Sequence, residues 1–67
     1  MNIKSFEKKL IDCDVSDKDV VEALSISKSA YYRKKSGQSE FTRSEINACI
    51  DFLKLTPDET MDIFFKV

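Results

Sequence analysis

Apolar residues recur along this chain at three- and four-residue steps, and polar residues break the pattern often enough to predict five short helices. Ile3, Phe6, Leu10 and Cys13 form the first stripe, with Lys4, Lys8 and Lys9 off it, which predicts a helix over residues 2–13. Asp12, Asp14 and Ser16 crowd the end of that helix, and Val15 is expected to plug the junction. Ser16 with Asp19 three residues on is a capping-box-like start, so a second helix begins near Asp17 and presents Val20, Val21 and Leu24 on one face. Ile26 lies in the corner that follows, and Ser27 caps the next helix, which runs from about Lys28 to Lys35. Gly37 is suited to the left-handed conformation that ends it.

Residues 38–41 form the one real loop, with Phe41 expected to anchor it in the core. Thr42 and Glu45 make a second capping box, opening a helix whose buried face is Ile46, Cys49, Ile50 and Leu53, with Asn47 and Asp51 outward and Leu55 at its close. Thr56, Pro57, Asp58 and Glu59 are a third start signal: a cap, a proline at the first helical position and acids in the first turn. The fifth helix spans about residues 57–65. Ile63, Phe64 and Val67 continue the core stripe, which leaves Met61 and Phe65 turned partly away as a candidate partner or dimer interface.

Only residues 25–27 are left for the turn between helices two and three. So short a break makes the helices cross steeply, the helix-turn-helix arrangement in which the second helix can enter a DNA major groove. The composition of that helix agrees with such a role. Lys28, Arg33, Lys34 and Lys35 give it four cations and no acid, while Ser29 and Tyr32 add hydroxyls. Long cationic donors suit phosphate oxygens and the O6/N7 edge of guanine.

Length and composition narrow the function classes. At 67 residues the chain is one domain, too small for a sizeable buried catalytic cavity. A single Gly, a single Pro and 42% hydrophobic residues indicate a compact all-α chain without internal linkers or repeats. No His is present, so a His-dependent triad is excluded, and two Cys alone offer no zinc ligand set. Cys13 and Cys49 occupy apolar helical slots and read as small buried hydrophobes. No catalysis, metal or cofactor is expected. No apolar run reaches membrane-spanning length and no signal-peptide pattern opens the chain, so no membrane association and a cytoplasmic location are expected.

Charge is unevenly spread. The net charge is −1, yet residues 1–39 hold eight Lys/Arg against six Asp/Glu and residues 40–67 hold three against six. A basic middle and an acidic end suit a protein that touches DNA with one edge, and they also suit a module that binds another protein.

The corner VVEALSISKSAYYRK and the tail GQSEFTRSEINACIDFLKLTPDETMDIFF resemble the lambda-repressor-like helix-turn-helix domains. The resemblance is closest to the small Cro-type proteins of lysis–lysogeny switches in phages of Gram-positive bacteria, and it covers nearly the whole chain. It implies a five-helix DNA-binding domain, usually a homodimer on partly palindromic double-stranded operators, without catalysis. Carried over by position, Lys28, Ser29, Tyr32 and Arg33 would read bases, Tyr31 would face the core, and Lys35, Ser36 and Gln38 would lie near the phosphate backbone. The family also offers a second reading, an antirepressor or modulator that binds the phage lysogeny repressor protein rather than DNA, or in addition to it. The chain departs from the family pattern at three places: Asp17 stands where Gln is common, Ser25 replaces the usual turn Gly, and Lys34 and Lys35 occupy a helix end that is normally partly apolar.

Overall fold

The computed structural model describes residues 1–65, which form five helices and no strands. They are α1 (Ile3–Asp12), α2 (Asp17–Leu24), α3 (Lys28–Lys35), α4 (Arg43–Leu53) and α5 (Pro57–Thr60), the last running directly into a π-helical turn, Met61–Phe65. Val67, expected on the core stripe, lies outside the described residues.

Each helix opens on a polar cap. Ser16, Thr42 and Thr56 make complete capping boxes with Asp19, Glu45 and Glu59, in which the side-chain oxygen accepts the N3 amide and the N3 carboxylate accepts the cap amide. Ser27 caps α3 by accepting the Ala30 amide. Asn2 caps α1 in the same way, accepting the Ser5 amide at 3.2 Å.

The helix ends share one solution with unequal ease. Asp14, Ser25, Lys54 and Gly37 all take positive φ, at 56°, 56°, 54° and 93°. After Asp14, Lys54 and Gly37 the chain turns so that the next amide reaches back to a carbonyl of the finished helix, as Val15 does to Leu10 and Leu55 does to Ile50, both at 3.0 Å. Ser25 therefore carries the Cβ penalty of the left-handed region, about 1–2 kcal/mol, and its side chain is exposed. Ser25→Gly relieves that penalty against the greater flexibility of glycine in the unfolded chain. We expect a gain of about 0.5–1 kcal/mol, read as a higher urea midpoint with unchanged slope; a lower midpoint would contradict it.

The core draws on α1 to α4, on the connection before α5 and on the π-helical turn. Phe6 and Leu10 from α1, Val20 and Leu24 from α2, Tyr31 from α3, Cys49 and Leu53 from α4, and Leu55 and Ile63 beyond it are all buried. Phe41 and Phe64 are half-buried at its edge, their rings edge-to-face at 5.7 Å, so the loop is anchored as the sequence suggested. Cys49 is buried, and burial pushes its thiol up to about 12, which keeps it protonated and inert at neutral pH. Cys13 is half-buried and its thiol donates to the Leu53 carbonyl.

Several stripe positions are less buried than expected, and Cys13 and Val21 lie half-buried at the edge of the core. Ile3 is exposed and lines a shallow hollow with Tyr32, just after the Asn2 amide that donates to the Ile63 carbonyl at 2.7 Å. Ile46 and Ile50 are half-exposed and line a groove with Phe65. The fifth helix is not one regular helix. Its wider last turn buries Ile63, half-buries Phe64 and leaves Met61 58% and Phe65 56% exposed. Among the described residues, no helix is long and apolar enough to cross a membrane.

Candidate nucleic-acid interface

α3 lacks an apolar stripe, yet its residues divide cleanly between two faces. Lys28, Ser29, Tyr32, Arg33 and Ser36 are exposed, whereas Ala30, Lys34 and Lys35 are half-buried and Tyr31 is fully buried. Helical geometry accounts for the division. Positions 31, 34 and 35 stand at i, i+3 and i+4, so seating Tyr31 in the core brings both lysines round with it.

Those two lysines are matched by acids from three other helices. Lys34 Nζ meets the Glu45 carboxylate at 2.6 Å, which pins α3 to the start of α4. Lys35 Nζ reaches Asp17 at 3.0 Å and Glu7 at 3.3 Å, joining α3 to α2 and α1, and it lies 5.9 Å from the centre of the Tyr31 ring. The Tyr31 hydroxyl donates to the same Asp17 oxygen at 2.6 Å. Of the four cations of this helix, Lys28, Arg33 and Lys35 were expected to contact DNA. Lys34 and Lys35 in fact brace the helix. Lys35, expected beside the phosphate backbone, has a side chain only 13% exposed and its charge is already matched.

The same network gives Asp17 a purpose. Burial pulls its carboxyl upward, but the hydrogen bonds from Tyr31 and Lys35 outweigh that and hold it below the ordinary carboxylate range. For Lys35, burial lowers the pKa, and its bonds to Asp17 and Glu7 more than reverse the effect. Burial and then the Asp17 bond push the Tyr31 phenol far up, so it remains a donor. For Glu45, burial raises the pKa, and Lys34 with the Thr42 cap brings it below its usual value.

The signs define a pH window. A depressed carboxylate contributes stability that is present above its unfolded pKa of about 3.9 and lost as pH falls through its folded value. A raised lysine contributes stability present below about 10.4 and lost as pH rises through its folded value. The Asp17–Lys35 pair therefore stabilises the fold between about pH 4 and 10. Asp17→Asn should cost about 1–2 kcal/mol at pH 7, a figure reduced because the Asp17 side chain is one-third exposed (33%). Urea midpoints of wild type and variant should run parallel from pH 5 to 9 and converge below about pH 4; curves that stay parallel into acid would contradict this.

The outward residues form the candidate surface. Lys28 and Arg33 are exposed and make no ion pair among the described residues. Ser29 is exposed beside Lys28. Tyr32 is 43% exposed, its ring edge-on to Tyr31 at 5.2 Å, and it stands between two hollows. One hollow is shallow and mainly apolar, lined by Ile3, Glu7, Lys35 and Ser36 beside Tyr32. The other lies between the starts of α2 and α3. At the end of α3 the Ser36 hydroxyl donates to the Arg33 carbonyl at 3.0 Å, and the Gln38 amide does so at 2.9 Å. These bonds consume main-chain and hydroxyl donors in closing the helix and leave the Gln38 side chain exposed.

Sequence reasoning missed Glu7 as a neighbour of this surface and Lys18 as part of it. Glu7 lies 28 residues from Lys35, so no local pattern links them. Lys18 reads in sequence as one more polar residue on the outer side of α2. Comparison with protein-family models, with curated proteins and with solved structures gives no match.

Proposed function

We propose that the chain is a transcriptional regulator of the Cro-like repressor type, in which α2, the turn at residues 25–27 and α3 act as a helix-turn-helix on operator DNA of a phage lysis–lysogeny switch. The observation that carries this reading is the division of α3. Its inward side is locked to three helices by ion pairs, and its outward side presents Lys28, Ser29, Tyr32 and Arg33 together. A rigidly held helix with cationic and hydroxyl side chains on its free side meets what groove reading needs, since base contacts require fixed geometry and long donors. Ser36 and Gln38, at the end of the same helix, would lie toward the backbone.

The test is selection of duplexes from a random pool by the purified chain, followed by titration of the enriched duplex and a scrambled one. A homodimer would enrich a partial palindrome with half-sites about 34 Å apart, one turn of B-DNA. The exposed Met61 and Phe65 are the candidate contacts between copies. Phe65→Glu should then convert a dimer to a monomer on sizing at unchanged helicity; an unchanged assembly would remove this patch from the interface.

A second reading is favoured by the acids beside the surface. Glu7 and Asp17 flank the exposed Tyr32, and a mixed-charge patch around an aromatic side chain also suits protein recognition. On that reading the chain modulates repression by binding the phage lysogeny repressor. Failure to enrich any duplex, together with an altered repressor–DNA complex when both proteins are present, would favour it.

A further inference from the structure

We infer that the shallow hollow between α3 and the start of α1 seats the 5-methyl group of a thymine, with Tyr32 and Ile3 as its apolar sides. This rests on the DNA-binding reading above and adds to it a base and the residues that select it.

The hollow has a volume of about 220 Å3 and is lined by Ile3 and Glu7 of α1 and by Tyr32, Lys35 and Ser36 of α3 and its cap. Ile3 and Tyr32 are its two large exposed apolar side chains. Ser29, Tyr32 and Ser36 stand at i, i+3 and i+7 on one stripe of α3, and all three are exposed. The hollow therefore continues the outward side of the helix and not its buried one.

The polar groups of the lining are already engaged. Lys35 Nζ lies on Asp17 and Glu7, so the cation here is matched by two acids, and a phosphate would meet the Glu7 carboxylate. The Ser36 hydroxyl donates to the Arg33 carbonyl. A charged group gains little in such a place, whereas an apolar group gains by leaving water. Along the major groove the base edges present donors, acceptors and one apolar group, the thymine methyl, which apolar and aromatic side chains contact. Arg33 is not part of the lining, so a guanine edge taken by its guanidinium and a methyl held here do not compete for one position.

The test replaces the thymines of the enriched duplex by deoxyuridine, one position at a time, and titrates each duplex with wild type, Tyr32→Ala, Tyr32→Phe, Ile3→Ser and Arg33→Ala. Deoxyuridine keeps every hydrogen-bonding group of thymine and lacks only the methyl. Wild type should lose about fourfold in affinity at one thymine of the half-site, the worth of one buried methyl group at about 0.8 kcal/mol. Tyr32→Phe and Arg33→Ala should keep that ratio. Tyr32→Ala should bring it to about one, and Ile3→Ser, an exposed change on the other side of the hollow, should lower it at an unchanged melting temperature. Wild-type binding that is insensitive to deoxyuridine at every position, or a selected half-site without a thymine, would overturn the inference with no variant needed. A fourfold ratio that survives both Tyr32→Ala and Ile3→Ser would overturn the assignment to this hollow while leaving DNA binding intact. Failure of wild type to enrich any duplex would overturn the DNA reading itself, and the thymine seat with it.

Discussion

Tyr31→Ala should leave the domain largely unfolded at room temperature. A chain of 67 residues has a total stability of about 3–10 kcal/mol. Truncating a fully buried aromatic side chain costs about 3–5 kcal/mol through lost burial and the cavity left behind. Here the loss extends further, because the Tyr31 hydroxyl is one of the donors that hold the Asp17 carboxylate and its ring lies beside the Lys35 ammonium. Far-UV circular dichroism at 25 °C should show most of the helical signal gone. Tyr31→Phe separates the two contributions. It keeps the ring and removes the hydroxyl, so it should cost about 1–2 kcal/mol, with Lys35 still on Asp17. A Tyr31→Ala protein that melts cooperatively near the wild-type temperature would show that the core does not depend on this residue.

Arg33→Ala should have the largest effect on DNA recognition without touching the fold. Arg33 is exposed, makes no ion pair among the described residues, and stands on the outward side of α3. If its guanidinium takes a guanine edge bidentately, its loss costs about 1–3 kcal/mol, or about 5- to 150-fold in affinity, and relaxes preference at one base pair. Lys34→Ala should behave in the opposite way. Its ammonium is committed to Glu45 with both side chains nearly covered, so removing it lowers stability and leaves base preference as it was. Equal weakening of Arg33→Ala on enriched and scrambled duplexes would make Arg33 a phosphate contact instead.

The contrast between these neighbouring cations shows what was legible in the sequence. The capping boxes at Ser16 and Thr42 and the start signal at Thr56 were, because each is a pattern among residues at most three apart and needs no knowledge of the rest of the chain. The positive φ of Gly37 and the short turn at residues 25–27 were legible for the same reason. The fate of Lys34 and Lys35 was not, since their partners Glu45, Asp17 and Glu7 lie 11, 18 and 28 residues away. A charged residue shows in sequence that it needs water or a partner, but not which it has found. Periodicity along α3 carried a partial signal: with Tyr31 in the core, the i+3 and i+4 lysines had to share its face.

Asp17 illustrates the same limit from the acidic side. Considered alone beside a DNA surface it is a repulsive charge. Within the structure it is the acceptor on which Tyr31 and Lys35 converge, and it orients the helix that carries Arg33. The exposed pair Met61 and Phe65 was visible as an apolar excess on the last helix, whereas the π-helical turn that sets their direction follows from packing and has no local sequence signature.

On the proposed function, the outward side of α3 reads double-stranded DNA. The measurement that tests it most directly is a fluorescence anisotropy titration of the purified chain, alone, against its enriched duplex and a scrambled duplex at 50 and 200 mM salt. Expected are tight binding at low salt, a steep loss at higher salt from displaced counterions, and a clear preference for the enriched sequence that Arg33→Ala diminishes. Failure of any duplex to enrich, or equal binding of both duplexes with Arg33→Ala indistinguishable from wild type, would contradict it.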